Sequence, residues 1–293
     1  KLMQGKRADM NQSPITQLRK TLELTQLEEN RFQGSSLWMP HGRVFGGQVM
    51  AQALAAATKT VDESRPVHSL HGYFLRPGDV DQDIIFDVEV LRDGRSFSAR
   101  RVQAIQNEKV IFSMISSFQI SEAGPDHQVG PTGDHGDPEK LPSAKQLLGE
   151  IDHPSAQYWA HSRPFDIRHH PDDIYLKVEN DSPQQSVWVK TLEPIELAPE
   201  MHAIALAFAS DYTILESGLR KHGISWAHRG MASASLDHAM WFHRPADVNS
   251  WMLYEQQSPS TQGSRNLNFG KIYQDGQLVA SVAQEGMLRV PGN

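Results

Sequence analysis

Cysteine is absent from this chain of 293 residues. Its absence excludes disulfide bonds, zinc–thiolate centres and thiol nucleophiles. Long apolar runs are also lacking, since no stretch approaches the roughly 20 apolar residues that a membrane-spanning helix needs. The N-terminus is polar rather than signal-like. We therefore expect a cytoplasmic protein with no membrane span, and we leave residues 1–10 out of the fold interpretation.

Positive charge is in deficit, with 28 Lys and Arg residues against 35 Asp and Glu residues. The formal net charge of -7 opposes binding to phosphate backbones, because nucleic-acid affinity comes largely from Lys and Arg. We expect no nucleic-acid partner. Hydrophobic residues make up 39% of the chain and charged residues 22%, which is ordinary globular usage. The chain should fold, as two domains or one large one.

Several common catalytic signatures are missing as well. No Gly-x-Ser-x-Gly elbow of a serine hydrolase occurs. The run from Gly42 to Gly47 is not a dinucleotide fingerprint, because no predicted βαβ unit surrounds it. His169 and His170 precede Pro171 and two aspartates, but adjacent histidines point to opposite faces of a strand and no helical His-x-x-x-His spacing accompanies them. We expect neither a metal nor a cofactor.

The chain does contain an internal repeat. A motif in the N-terminal half recurs 168 residues later, and the same offset continues without a gap. The paired segments are Phe74 with Phe242, Arg76-Pro77 with Arg244-Pro245, Asp79-Val80 with Asp247-Val248, Ile85-Phe86 with Leu253-Tyr254, and Val110-Ile111 with Leu278-Val279. We interpret the chain as two tandem copies of one module. The alternative is that two antiparallel sheets share strand patterns by chance.

Each copy is predicted to contain one long helix followed by antiparallel strands. The helices are expected at about 45–61 and 199–219. Segments rich in β-branched and aromatic residues, separated by turn signals, predict the strands. They are expected at 70–75, 83–91, 96–105 and 109–120, and in the second copy at 232–243, 251–257, 265–273 and 278–290. Two further strands, at 165–178 and 185–193, are expected to open the second copy before its helix, equivalent to the region 31–39 of the first. This order indicates an α+β fold.

The chain divides into three segments on this interpretation. Residues 11–121 form the N-terminal copy, and residues 161–293 form the C-terminal copy. Between them, residues 122–160 are dense in Gly, Pro, Asp and His, which is typical of a linker. We expect this linker to run over the surface, as long irregular connections usually do.

The two copies differ in their polar residues. The second helix carries Asp211 inside an apolar run, whereas the first helix has no carboxylate. A buried aspartate has a raised pKa that suits it to proton transfer; the alternative is a helix-cap or solvent-facing aspartate. Ser235 stands where the first copy has Val67, and Gln284 stands where it has Ser116. Singly, each fits an ordinary sheet position. Together with Asp211 they form a set that can hold and deprotonate a water.

The first helix offers a pair of glycines at its start. Gly46 and Gly47 expose backbone N–H groups at the positive end of the helix, which can bind an anion or a developing oxyanion. The alternative is close packing of the helix on the sheet. We name the N–H groups of Gly47 and Gln48 as oxyanion candidates. His71, which is replaced by Ala239 in the second copy, is a substrate-contact candidate or an ordinary half-buried histidine.

Several motifs together resemble the acyl-CoA thioesterase II family. They are VFGGQ at 44–48, HGYFLRPGD at 71–79, LRDGRSFSARRV at 91–102, ASDY at 209–212, LDHAMWFH at 236–243 and QEG at 284–286. The resemblance covers about residues 31–289. It implies a double hotdog fold, in which each long helix is wrapped by an antiparallel sheet and the two sheets join. It also implies hydrolysis of acyl-CoA to free fatty acid and CoA, with Asp211, Ser235 and Gln284 as catalytic residues.

Two other functions are compatible with a hotdog fold. An enoyl-CoA hydratase would need an Asp–His pair, which we do not find beside Asp211, and a non-catalytic protein would bind acyl-CoA without hydrolysing it. Acyl-CoA is the expected partner, and we expect a homo-oligomer, a dimer or a tetramer. Peroxisomal members of the family end in a tripeptide resembling Ser-Lys-Leu. The different ending of this chain favours a bacterial-type cytoplasmic enzyme.

Overall fold

The computed structural model describes residues 12–291, which form antiparallel strands around two central helices. Residues 1–11 and 292–293 lie outside this range, and with them the outermost residues of both predicted copies. The helices are α1 (Pro14–Leu22), α2 (Gly46–Thr58), α3 (Ala144–Leu148), α4 (Pro154–Gln157), α5 (Pro199–Ser210) and α6 (Glu216–Lys221), with a π-helical turn at Tyr158–Ser162.

Thirteen strands of the described residues join in one sheet. They are β1 (Thr25–Glu28), β2 (Arg31–Gly34), β3 (Val67–Phe74), β4 (Ile84–Asp93), β5 (Phe97–Gln106), β6 (Lys109–Gln119), β7 (Phe165–His170), β8 (Gln184–Thr191), β9 (Ala232–Ser235), β10 (Asp237–Phe242), β11 (Met252–Gln262), β12 (Arg265–Gln274) and β13 (Gln277–Arg289). The order across the sheet is β1-β2-β4-β5-β6-β3-β10-β13-β12-β11-β8-β7, and β9 pairs with β13.

The strands follow the offset of the sequence repeat. Both ends of β5 and β12 are 168 residues apart, and so are the first residues of β6 and β13. The helices do not follow it, because α2 and α5 begin 153 residues apart. The C-terminal copy therefore has 15 more residues between the start of its long helix and its strands, and α6 lies in this insertion.

The two copies share one interior. Strand β3 pairs with β10, from Tyr73 opposite Asp237 to Ser69 opposite Trp241, and this pairing joins the two half-sheets. Helix α2 packs directly against α5, and a single cluster of buried apolar side chains draws on both copies. Both helices are predominantly apolar, and residues 47–57 of α2 and 204–210 of α5 are buried, as expected for helices enclosed by protein. The predicted α+β fold, with two wrapped helices and joined sheets, is confirmed.

Several predicted boundaries are wrong. The helix expected at 199–219 ends at Ser210 and resumes as α6, with turns at 211–215 between them. The strand expected at 165–178 ends at His170, because Pro171 has no N–H to donate to a sheet. The strand expected at 232–243 is interrupted at Leu236.

The linker is only partly on the surface. Its second half buries Ala144, Leu148 and Ala156 in a small core with Tyr175, and Tyr158 packs against the N-terminal copy. The expectation of a surface connection was therefore wrong for this half, because the sequence 144–158 carries enough apolar side chains to form its own short helices and contacts. Among residues 12–291, no helix is long and apolar enough to cross a membrane.

Candidate active site

Three predicted site residues meet at one point of the C-terminal copy. Asp211 caps the end of α5, Ser235 ends β9, and Gln284 lies within β13. The Ser235 hydroxyl Oγ donates to Asp211 Oδ1 at 3.2 Å. The Gln284 amide Nε2 donates to the same oxygen at 2.8 Å and to Ser235 Oγ at 2.9 Å. Each side chain therefore contacts the other two.

The strands bring these residues together through their register. Ser235 lies opposite Gly286 in the pairing of β9 with β13, next to the inward-facing Gln284. The chain stays bonded to β13 where the strand is interrupted at Leu236, because the Leu236 N–H donates to the Glu285 carbonyl oxygen at 2.9 Å. The Glu285 N–H donates to the Asp237 carboxylate at 2.7 Å. The broken strand thus fixes Ser235 against β13.

Asp211 is a buried helix cap rather than a residue inside a helix. It is 8% exposed, and its backbone angles are φ −83° and ψ −13°. Its backbone therefore fits the alternative of a helix cap, but its side chain is buried rather than facing solvent. Most capping aspartates are solvated, whereas this carboxylate faces buried hydrogen-bond donors.

The N-terminal copy contributes the start of α2 to this site. The Gly47 N–H faces the Asp211 carboxylate and lowers its pKa. A Cβ atom at Gly46 would lie 2.6 Å from Asp211 Oδ2, and one at Gly47 would lie 2.3 Å from the Phe208 carbonyl oxygen. Both alternatives for the two glycines, close packing and anion binding, therefore apply. The glycines let the helices pack closely, and they present a backbone donor to a carboxylate.

Burial raises the pKa of Asp211 to about 6, while hydrogen bonds from Gln284, Ser235 and the Gly47 N–H lower it. Desolvation disfavours the charged carboxylate, whereas the donors favour it. A carboxylate with a pKa near 6 is ionised at neutral pH and can still accept a proton usefully. The site therefore contains a group suited to general-base chemistry.

Sequence reasoning missed His238. Its ring is 1% exposed; Nδ1 contacts Gln284 Oε1, and Nε2 lies 3.0 Å from Ser210 Oγ. Burial lowers the pKa of His238 to about 4, although the contact with Gln284 raises it. The repeat contained the signal, because the residue 168 positions earlier is the apolar Leu70. His238 contacts Gln284 rather than Asp211, so the two do not form an Asp–His pair.

Other candidates lie elsewhere or are already hydrogen-bonded. The Gln48 N–H donates to the Phe45 carbonyl oxygen at 3.1 Å, and the Gln48 side chain binds Leu37 and Gln52. His71 is exposed on the outer face of β3, where its ring packs edge-on against Trp241 at 5.1 Å. The structure therefore does not bring His71 to the Asp211 cluster.

The histidines that suggested ligand chemistry are also separated. His169 is buried and its Nε2 lies 2.8 Å from Glu216 Oε2, whereas His170 lies on the other face of β7 beside Pro171. Within residues 12–291, no group of three or more His, Asp or Glu side chains is arranged to hold a metal ion.

Comparison with known proteins gives consistent matches. A family model described as acyl-CoA thioesterase matches residues 161–287, and one described as acyl-CoA thioesterase N-terminal domain matches residues 35–119. The chain is 39% identical over 275 residues to acyl-CoA thioesterase 2 of Haemophilus influenzae, covering 92% of this chain and 95% of that protein.

Solved structures agree in fold. The crystal structure of the acyl-CoA thioesterase II TesB2 from Mycobacterium marinum matches with a TM-score of 0.78 and 40% identity, over 94% of this chain and 99% of that one. A conserved protein of unknown function with a hot dog fold from Alicyclobacillus acidocaldarius matches with a TM-score of 0.75 and 17% identity, over 94% and 98% of the two chains. The second match bears on the fold alone and confirms the expected hotdog architecture.

Proposed function

This chain belongs to the acyl-CoA thioesterase family and hydrolyses acyl-CoA thioesters, and from that premise we propose that Asp211, Ser235 and Gln284 activate the attacking water. The observation that carries the proposal is the buried Asp211 carboxylate, which accepts hydrogen bonds from both other side chains at one oxygen. Gln284 donates from its amide nitrogen to both Asp211 and Ser235 and so fixes the two groups that hold the water.

In the proposed reaction, Asp211 takes a proton from the water as the water oxygen attacks the thioester carbonyl carbon. The carbonyl π electrons move to oxygen and give a tetrahedral oxyanion. When the intermediate collapses, the carbon–sulfur bond breaks and the CoA thiolate leaves, taking up the proton from Asp211. The products are the free acid and CoA, and no covalent acyl-enzyme forms. Positioned general bases contribute typically about 10²–10⁴-fold to such steps.

The developing oxyanion is proposed to lie near the positive end of α2. Helix N-termini stabilise negative charge through their free N–H groups and their dipole. Because the Gln48 N–H already donates to Phe45, and the Gly47 N–H faces Asp211, we assign this role to the helix end as a whole. The glycines at 46 and 47 let this helix end lie directly against Asp211 and the end of α5.

Thiol release from a panel of acyl-CoAs tests the proposal, with wild type, Asp211→Asn and Thr58→Val compared at neutral pH. Thr58 is the residue 153 positions before Asp211, at the end of α2, and serves as the matched control. We expect Asp211→Asn to lower kcat by about 10²–10⁴-fold and Thr58→Val to leave it unchanged. Intact mass of acid-quenched enzyme should show no acyl adduct. Near-normal turnover by Asp211→Asn, or an adduct on Ser235, would refute the mechanism.

We further propose that the substrates are fatty acyl-CoAs, that the enzyme acts in lipid metabolism in the cytoplasm, and that it forms a dimer or a tetramer. The bacterial relative that spans most of the chain supports the location. Tyr73, Ile115 and Trp241 support self-association, because they are exposed apolar side chains on neighbouring strands of the outer sheet face. Chain-length profiling, cell fractionation and light scattering test these proposals in turn.

A further inference from the structure

The orientation of the Gln284 amide decides whether it can serve Asp211. An ionised carboxylate only accepts hydrogen bonds, so the NH₂ end of the amide must face Asp211. The two ends of a glutamine amide have nearly the same shape, and shape alone does not select one orientation. The orientation is therefore set by the partner of the other end, the carbonyl oxygen Oε1.

That partner is His238. Its Nδ1 contacts Gln284 Oε1, and because a carbonyl oxygen only accepts, Nδ1 must carry the ring proton. Nε2 is then unprotonated, and it lies 3.0 Å from Ser210 Oγ. The Ser210 hydroxyl donates to the Ala207 carbonyl oxygen at 2.8 Å, which ties Ser210 to α5. Burial keeps the ring neutral at neutral pH by lowering the pKa of His238 to about 4.

The contacts form a closed circuit at the end of α5. Asp211 binds Gln284, Gln284 binds His238, and His238 Nε2 lies beside the hydroxyl of Ser210, the residue immediately before Asp211. Ser210, His238 and Gln284 are each 1% exposed or less, so water cannot readily replace a lost partner. In the N-terminal copy the position of His238 is occupied by Leu70, which has no donor.

We infer that His238 is a positioning residue, which donates from Nδ1 to Gln284 Oε1 and thereby keeps the Gln284 NH₂ group on Asp211 and Ser235. The inference rests on the proposed function, because it assigns His238 a role only through Gln284. Residues that orient the ligands of metal sites contribute typically about 10–100-fold to affinity or activity, and we expect an effect of the same order for His238. His238 touches neither substrate nor the water in this account.

Substitutions that keep or remove the donor test the inference. His238→Asn places an amide N–H near the position of Nδ1, His238→Gln places one near Nε2, and His238→Leu removes both and reproduces the residue of the N-terminal copy. We expect His238→Leu and His238→Gln to lower kcat about 10–100-fold, with KM changed less than about twofold, and His238→Asn to recover most of the loss. Thermal unfolding of each variant separates this pattern from loss of fold.

The dependence of kcat on pH gives a second readout. Its acidic limb is the pH range in which kcat falls as Asp211 becomes protonated. Because the Gln284 hydrogen bond lowers the pKa of Asp211, a misoriented amide should move this limb to higher pH in His238→Leu and His238→Gln but not in His238→Asn. The other titratable side chains facing Asp211 are those of Tyr212 and Tyr254, which stay neutral because burial raises the pKa of each well above its usual value.

A double substitution decides between a role through Gln284 and an independent one. We expect His238→Gln combined with Gln284→Ala to be no slower than Gln284→Ala alone, because His238 has nothing left to position. Multiplied losses, or equal activity of the Asn and Gln variants, would overturn the inference. If Gln284→Ala loses activity while His238→Gln does not, the inference alone fails. If Gln284→Ala is fully active, the proposed function of Gln284 fails and the inference fails with it.

Discussion

The N-terminal and C-terminal copies share a strand plan but differ in the side chains they place beside it. In each equivalent pair the C-terminal copy has a polar residue suited to the site. The pairs are Thr58 and Asp211 at the ends of the long helices, and Val67 and Ser235, Leu70 and His238, and Ser116 and Gln284 in the strands. The side chains of the candidate site therefore all lie in the C-terminal copy.

The N-terminal copy contributes backbone where the other contributes side chains. The Gly46-Gly47 start of α2 brings an N–H group and the positive end of a helix to Asp211. The start of α5 differs, because Pro199 occupies its first position and has no N–H. The candidate site therefore combines side chains of the C-terminal copy with backbone of the N-terminal copy. We expect neither copy to be active alone. The predictions below address this division, beginning with the largest effect.

Replacing Gln284 should damage the site far more than replacing its counterpart. Loss of a hydrogen bond to a charged group costs about 1.5–3 kcal/mol, which corresponds to a fall in kcat of about 10–150-fold for Gln284→Ala. Ser116 is the matched control, because it is equally buried and its hydroxyl has no hydrogen-bond partner among the described residues. Ser116→Ala should leave kcat and stability unchanged, and equal losses in both variants would contradict the assignment.

Closing the gap at Gly47 should affect stability and activity together. A Cβ there would lie 2.3 Å from the Phe208 carbonyl oxygen, so α2 and α5 must move apart. Overpacking of this kind costs typically about 1–3 kcal/mol, which urea unfolding of Gly47→Ala would measure, and kcat should fall as the Gly47 N–H leaves Asp211. Gly124→Ala is the control, since no atom lies within 4 Å of its added Cβ. A stable, fully active Gly47→Ala enzyme would show that the close approach is dispensable.

The ionised Asp211 carboxylate should weaken the fold at neutral pH. Burial raises the pKa of Asp211 to about 6, so the folded state holds its proton more tightly than the unfolded chain does. This contribution to stability is present below about pH 4 and is lost as the pH rises through about 6. The melting temperature of Asp211→Asn should therefore rise relative to wild type between pH 4 and pH 8. A constant difference across that range would argue against a buried, ionising Asp211.

The sequence predicted which three side chains meet better than it predicted the helix that carries Asp211. Comparing the copies found Ser235 and Gln284, because the strands keep one register and every residue has a defined counterpart. It placed Asp211 inside a helix, because an apolar run continues past Ser210 and nothing in its periodicity marks the end. The turn at 211–215 depends on contacts with α2 and β13, which are distant in sequence.

His238 was within reach of the same comparison. It replaces Leu70 on an inward-facing position of a strand, and a polar residue for an apolar one at such a position signals a buried partner. By contrast, His71 looked similar in sequence but lies on the outer face of its strand. Which face of a strand is buried depends on where the helices pack. The alternation of residues along the strand does not by itself identify the buried face.

The pH dependence of kcat tests the central claim most directly, that a buried aspartate of the C-terminal copy is the base. For wild type, log kcat for acyl-CoA hydrolysis should be level near neutral pH and should fall by about one unit per pH unit below a midpoint of about 6, the pKa of Asp211. In Asp211→Asn the residual rate should not show this limb. A wild-type profile that stays level to pH 5, or a limb that persists unchanged in Asp211→Asn, would contradict the account.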